Sequence, residues 1–234
     1  MVQRLSGRKV EEMHFEILVE GQSDLTALSS GIMKDILGEY SEPHTWKIHK
    51  HQGIGTCNKN PESPPNVKDR TLLHNLPSKL RAYGKALTKE QAVVVLIDLD
   101  DKNHDERLKE LEGALEHCDP KPITIFSLAT EEMEAWFLGD VDALVAAYPE
   151  VRLDVVQKYE QDSQCGTWEV LAEAVHPGGI RTLMSKGKRS VEILDQKRAW
   201  AKNIAPHMKK DKNLSPSFQL FCGNIIQLIN LETA

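Results

Sequence analysis

The chain has 234 residues, 40% hydrophobic and 27% charged, with a formal net charge of −6; this is ordinary for a soluble globular protein of one large domain, or one domain with a smaller appendage. No apolar run approaches the roughly 20 residues that span a bilayer, and the amino terminus has no signal-peptide core, so the cytoplasm is the expected compartment. Cys57, Cys118, Cys165 and Cys222 are scattered without a Cys-x-x-Cys pair, which argues for reduced thiols and against a disulfide framework or a structural zinc site.

The charge is unevenly spread. Residues 181–234 carry ten Lys or Arg against four Asp or Glu, a balance of +6, and residues 1–180 carry 19 against 31, a balance of −12. The split suits a phosphate-binding face beside an acidic metal site, and it suits helices with a solvated basic face equally well.

In chain order, Glu11 to Val19 reads as a strand that runs into the turn Glu20-Gly21-Gln22-Ser23-Asp24. Gly21 allows the turn, and Ser23 or Asp24 caps a helix over 24–37. Trp46 to His51 alternates weakly, as a second strand, and the Asn- and Pro-rich stretch 55–67 reads as an exposed loop. Leu72, Leu73, Leu76, Leu80, Tyr83 and Leu87 fall at helical spacing within 69–87, with Pro77 as a kink.

Ala92 to Ile97 is a short run of aliphatic residues that ends in Asp98, Leu99, Asp100 and Asp101. Such a run, too apolar to be half exposed, reads as the central strand of a parallel sheet covered on both faces. Ligands of open α/β sheets bind outside the carboxyl ends of the strands, which is where Glu20 and these aspartates fall. Period-two alternation points Asp98 and Asp100 to one side, so their oxygens can converge on a hard cation; a strand end that simply leaves into solvent has the same polar residues. A crossover helix over 106–117 and a strand over 121–128 follow, and the chain then reaches Thr130 as a helix cap, with Glu131, Glu132 and Glu134 near the helix start, where the macrodipole favours acids. Residues 151–160, 168–175, 190–208 and 218–231 read as helices.

Val19-Glu20-Gly21 and Ile97-Asp98-Leu99-Asp100-Asp101, set in this alternation of strand and helix, resemble the Toprim fold of topoisomerases, bacterial primases and the overcoming-lysogenization-defect nucleases. The chain further resembles a prokaryotic Toprim-related family, a domain of unknown function. That likeness rests on His51-Gln52-Gly53, the stretch Leu76 to Lys85, Glu132-Met133-Glu134-Ala135-Trp136-Phe137-Leu138-Gly139-Asp140, Gly166-Thr167-Trp168-Glu169 and Ser215-Pro216-Ser217-Phe218.

The resemblance implies a Toprim-like Rossmannoid α/β domain over 1–148, with a parallel sheet flanked by helices, and a helical carboxyl-terminal extension over 149–234 packed on it. It implies a magnesium-dependent (or manganese-dependent) nuclease in which Glu20, Asp98 and Asp100 are catalytic and bind the metal, with Asp101 and Glu134 as further ligands. Tyr40, Tyr83, Tyr148 and Tyr159 lie in ordinary helical or loop contexts, which favours hydrolysis over strand passage. Small relatives encoded beside ATPases imply an anti-phage defence effector with an ABC-type or AAA ATPase partner; this chain has no Walker A loop of its own. A homo-oligomer fits this picture. The basic carboxyl-terminal residues Lys186, Lys188, Arg189 and Arg198 are the expected nucleic-acid contacts. Two alternatives stand beside the nuclease: a regulatory or scaffold subunit that keeps the fold without the chemistry, and a small-nucleotide phosphoesterase. A zinc hydrolase is disfavoured because the nine histidines include no helical His-x-x-x-His pair, and His49 and His51 have an ordinary strand-end role.

Overall fold

The structure is a computed structural model that describes residues 12–58, 60–185, 187 and 190–232. Four parallel strands, β1 (His14–Val19), β2 (Thr45–Lys50), β3 (Gln91–Asp98) and β4 (Thr124–Ala129), form one sheet in the order β2-β1-β3-β4. The chain builds outward from β1 to β2 and then returns to the other side of β1 for β3. The order therefore reverses between β1 and β3, and a crevice opens at the carboxyl ends of those two strands.

The expectation for β3 holds, and its alternation explains why one strand serves two cores. Ala92, Val94 and Leu96 join Phe15, Ile17 and Val19 in the larger apolar cluster, and Val93, Val95 and Ile97 join Leu18 in the smaller one. Burying such side chains stabilises a fold by roughly 1.5–3 kcal/mol each, so β3 holds both layers to the sheet. The smaller cluster is closed by α3 (Leu72–Ala86) and α4 (His104–Glu116). Pro77 sits inside α3 without ending it.

The larger face is covered by the remaining helices. The stretch after β1 is helical from Gln22 to Leu37, as α1 (Gln22–Ala27), a π turn (Leu28–Ile32) and α2 (Met33–Leu37). Its middle packs so closely on the 3-10 turn Ala205–His207 that a Cβ at Gly31 would run into the Ala205 carbonyl. Next come α5 (Glu134–Leu138), α6 (Val141–Ala147), α7 (Leu153–Val156), α8 (Thr167–Val175), α9 (Gly179–Met184), α10 (Val191–Ile204) and α11 (Pro216–Glu232). The long helix expected over 151–160 shrinks to the single turn α7. One apolar cluster runs across residue 148, from Met13 to Ile225, so the carboxyl-terminal helices share the core of the sheet.

Two of the quoted sequence blocks meet in that core. Trp136 is fully buried between Phe218 and Phe221, at ring-centroid distances of 5.2 and 5.0 Å. Its indole Nε1 donates to Ser217 Oγ at 2.9 Å, and its backbone carbonyl accepts from Asn213 Nδ2 at 2.7 Å. Buried indole N–H groups need a partner, and here the Ser-Pro-Ser-Phe block supplies it. All four cysteines are free. Among the described residues no helix is long and apolar enough to cross a membrane.

Candidate metal centre

Glu20 follows β1 directly, and its Oε1 accepts the backbone N–H of Asp98, the last residue of β3, at 2.8 Å. Asp98 Oδ1 in turn accepts the N–H of Met133 at 3.0 Å, so three strand ends are tied together at the switch point. Asp24, in the first turn of α1, curls back to accept the Gly21 N–H at 2.8 Å and is buried. Glu134 opens α5 and is also buried. Lys197 enters from α10, which packs on α1, and places Nζ 3.1 Å from Glu132 Oε1 and 3.5 Å from Glu134 Oε1. The same ammonium lies 5.8 Å from the Trp168 ring centre.

Asp24, Asp98, Glu132 and Glu134 thus share one lysine, and Glu20 is opposed by Arg107. Burial is the largest influence on Glu20 and pushes it up to about 8; Asp24 and Asp100 add repulsion, while the Asp98 N–H and Arg107 oppose it. Asp98 is driven well above the usual carboxylate range by burial and then by Glu20, Asp24 and Glu134. Burial, followed by Glu134, raises Glu132 to about 7 against the pull of Lys197, and Glu132 Oε2 is buried without a hydrogen-bond partner. Asp24 is raised by burial and by Glu134. Burial alone would lower Lys197, but Glu134, Glu132 and Asp98 outweigh it and hold the ammonium protonated. A cluster in which acids repel one another is relieved by protons or by a cation.

The donor set is all hard oxygen, which suits Mg²⁺ or Mn²⁺ rather than zinc. Among the described residues, however, no three His, Cys, Asp or Glu side chains converge tightly enough to hold a metal ion as they stand. Glu20 and Asp98 each spend one oxygen on a backbone N–H and keep the other, so the fit is one of chemistry and placement, with the side chains still to close on an ion.

The other expected site residues are placed differently. β3 ends at Asp98, and Asp100 takes a left-handed backbone with φ of 52°, so the expected alternation of Asp98 and Asp100 on one extended segment fails. Asp98 lines a cleft of about 270 Å³ with Glu20, Asp24, Lys197 and Arg198, whereas Asp100 opens on two neighbouring clefts. Asp101 has a side chain 92% exposed, 4.0 Å from Lys102, outside the cluster. Arg198 stands at the cleft mouth and pairs with Asp195 at 3.0 Å. Lys186, Lys188 and Arg189 lie outside the described residues. Much of the basic surplus is spent within the fold, since Lys209 pairs with Asp35 and Lys212 with Asp142.

Thr130 does not cap a helix. The chain bends there, Glu131 adopts a φ of 59°, and α5 starts only at Glu134. Glu131 instead reaches the start of α8, where its carboxylate accepts the N–H groups of Gly166 and Thr167 at 2.8 and 2.9 Å and the Thr167 hydroxyl. His49 bonds to Glu16, and His51 Nδ1 lies 2.9 Å from the Val19 carbonyl oxygen, so neither faces the acids.

Sequence reasoning missed Asp24 and Lys197. The Glu20-x-x-x-Asp24 spacing was a usable signal, since it returns Asp24 over the strand end from the first helical turn. Lys197 had none, because only the packing of α10 on α1 brings it in.

No curated protein and no solved structure matches the chain. Residues 19–226 match the family described as Domain of unknown function (DUF4276). That match starts one residue before Glu20 and encloses every acid of the centre together with α10 and the Ser-Pro-Ser-Phe block. The chain belongs to the DUF4276 family.

Proposed function

We propose that the chain is a metal-dependent phosphodiester hydrolase acting on nucleic acid, a Toprim-type nuclease whose ion is Mg²⁺ or Mn²⁺. The observation that carries this reading is the meeting of Glu20 and Asp98 at the sheet's switch point, with the buried Glu134 acting on Asp98, Glu20 pushed up to about 8, and Lys197 paired with Glu132 and Glu134. A bound divalent ion supplies Lewis acidity toward a phosphate oxygen and lowers the pKa of a coordinated water. The free oxygens of Glu20 and Asp98 are the ligands that two backbone N–H groups already orient. Glu20, at the end of β1, would take the proton of the attacking water as a carboxylate, once a bound ion has displaced its own proton. Lys197 keeps a fixed positive charge beside the acids, where a leaving oxyanion would form. The defence setting and the partner ATPase come to this reading from the motif resemblance.

A second reading, a binding or scaffold subunit, is favoured by one observation: Lys197 already gives Glu132 and Glu134 a counter-charge without any ion. Incubation of the purified chain with single- and double-stranded DNA, RNA and small cyclic nucleotides, with Mg²⁺, Mn²⁺ or chelator, separates the readings. Metal-dependent cleavage of a polynucleotide, lost in Asp98→Asn, is the expected result. Turnover of small nucleotides alone would make the chain a phosphoesterase, and inertness toward every substrate would leave the scaffold.

A further inference from the structure

A second cleft, of about 350 Å³, lies on the α4 side of the acids; its charged lining is Lys102 and Arg107 together with Asp100, Glu106 and Glu110, and the loop residues Ile54, Gly55 and Thr56 complete it. The first cleft includes Gly53 in its wall, so the two adjoin along the loop that follows β2. Arg107 is only 9% exposed. Its Nη1 donates to Glu110 Oε2, while its Nε is buried without any hydrogen-bond partner. A guanidinium presents five donors in a rigid fork, and one carboxylate uses only part of it. A buried donor left unmade costs roughly 1–3 kcal/mol, a cost that a small shift of the fork toward a doubly accepting group, such as the two non-bridging oxygens of a phosphodiester, would offset. The charge of Arg107 reaches Glu20 and Asp100, so the cleft borders the metal centre electrostatically as well as in space.

We propose that this cleft binds a phosphodiester group of the substrate strand next to the group positioned at Glu20 and Asp98, with Arg107 as its forked ligand and Lys102 as a second positive charge. The inference rests on the nuclease reading and adds to it the direction of the strand, which runs from Arg198 at one cleft, across the acids, to Arg107 at the other. Arg107, rather than the basic carboxyl-terminal residues, then fixes the register of the strand.

The test uses the full chain carrying Asp98→Asn, so that a labelled single-stranded oligonucleotide binds without being cut, with fluorescence anisotropy read over a salt series. Adding Arg107→Gln should weaken binding about tenfold, the value of one charged hydrogen bond, and reduce the log–log salt slope by about 0.7. Arg107→Lys should restore the slope but not the full affinity, because a point charge replaces the fork. Lys102→Ala, at an exposed position, should lower the slope in the same sense and carries the test if Arg107→Gln does not fold. Affinities unchanged in both Arg107→Gln and Lys102→Ala would overturn the inference while leaving the nuclease reading intact. A parent chain that binds no strand at all would remove the nuclease reading and this inference together.

Discussion

Two sets of carboxylates in this fold are satisfied in opposite ways. Glu131, Asp140 and Asp162 end on backbone N–H donors: Glu131 at the start of α8, Asp140 on Ala143 and Lys209, Asp162 on Ser217. Glu20, Asp24, Asp98 and Glu132 are buried against other carboxylates and all bind protons more tightly than usual. The first set holds the fold together; the second is held by the fold at a cost. Glu20, Asp24 and Asp98 also accept one backbone N–H each, so the difference lies in the like charge buried beside them, and residue type alone does not reveal it.

The comparison is broken most severely at Lys197. Replacing it by Met removes the counter-charge of Asp24, Asp98 and Glu132, and loss of one partner of a largely buried ion pair costs about 3–5 kcal/mol. Chemical denaturation at pH 8 should show a loss of that order, and at pH 6 the loss should shrink as the acids take up protons.

Glu131→Ala probes the first set. Removing a carboxylate that accepts several N–H groups should cost about 2–3 kcal/mol, with no dependence on Mg²⁺, because the start of α8 loses its acceptor. Urea melts with and without metal check both halves. Asp98→Asn should have the opposite sign. The amide oxygen can still accept the Met133 N–H, and folding no longer requires Asp98 either to keep a repelled charge or to take up a proton, so the metal-free chain should gain on the order of 1 kcal/mol at pH 8.

A further effect is one of pH. Glu20 has a folded-state pKa raised to about 8 from an ordinary 4.5, so the folded chain holds this proton more tightly than the unfolded one. Its contribution to stability is fully present below about 4.5 and is lost as pH rises through about 8. Metal-free chain should therefore melt higher at pH 6 than at pH 8.5, and Glu20→Gln should flatten that slope. A slope unchanged by the substitution would place the titration elsewhere.

The central strand and the two acids at the β1 and β3 ends were legible because burial leaves its mark on neighbouring residues: an unbroken aliphatic run stops at Asp98, and Glu20 stops the run before it. Asp100 was misplaced because period-two reasoning assumes the strand continues, whereas β3 ends at Asp98 and Asp100, two residues on, has a left-handed backbone. Glu131 was misread as a residue of the next helix, since nothing local announces that it turns back to cap a helix starting 36 residues later. Lys197 lies 99 residues beyond Asp98 in the chain, and its role exists only through the packing of α10 on α1. Local pattern thus located the acids, and the source of their counter-charge required the tertiary fold.

Isothermal titration of Mg²⁺ into the chain at pH 8, run in two buffers of different ionisation enthalpy, tests the central claim that the second set is a cation centre. The account predicts a saturable heat that differs between the buffers, because the ion displaces protons held by Glu20 and Asp98, and predicts that Asp98→Asn abolishes it. No heat in either buffer, with the melting temperature also unmoved by Mg²⁺ or Mn²⁺ in the presence of an oligonucleotide, would contradict it.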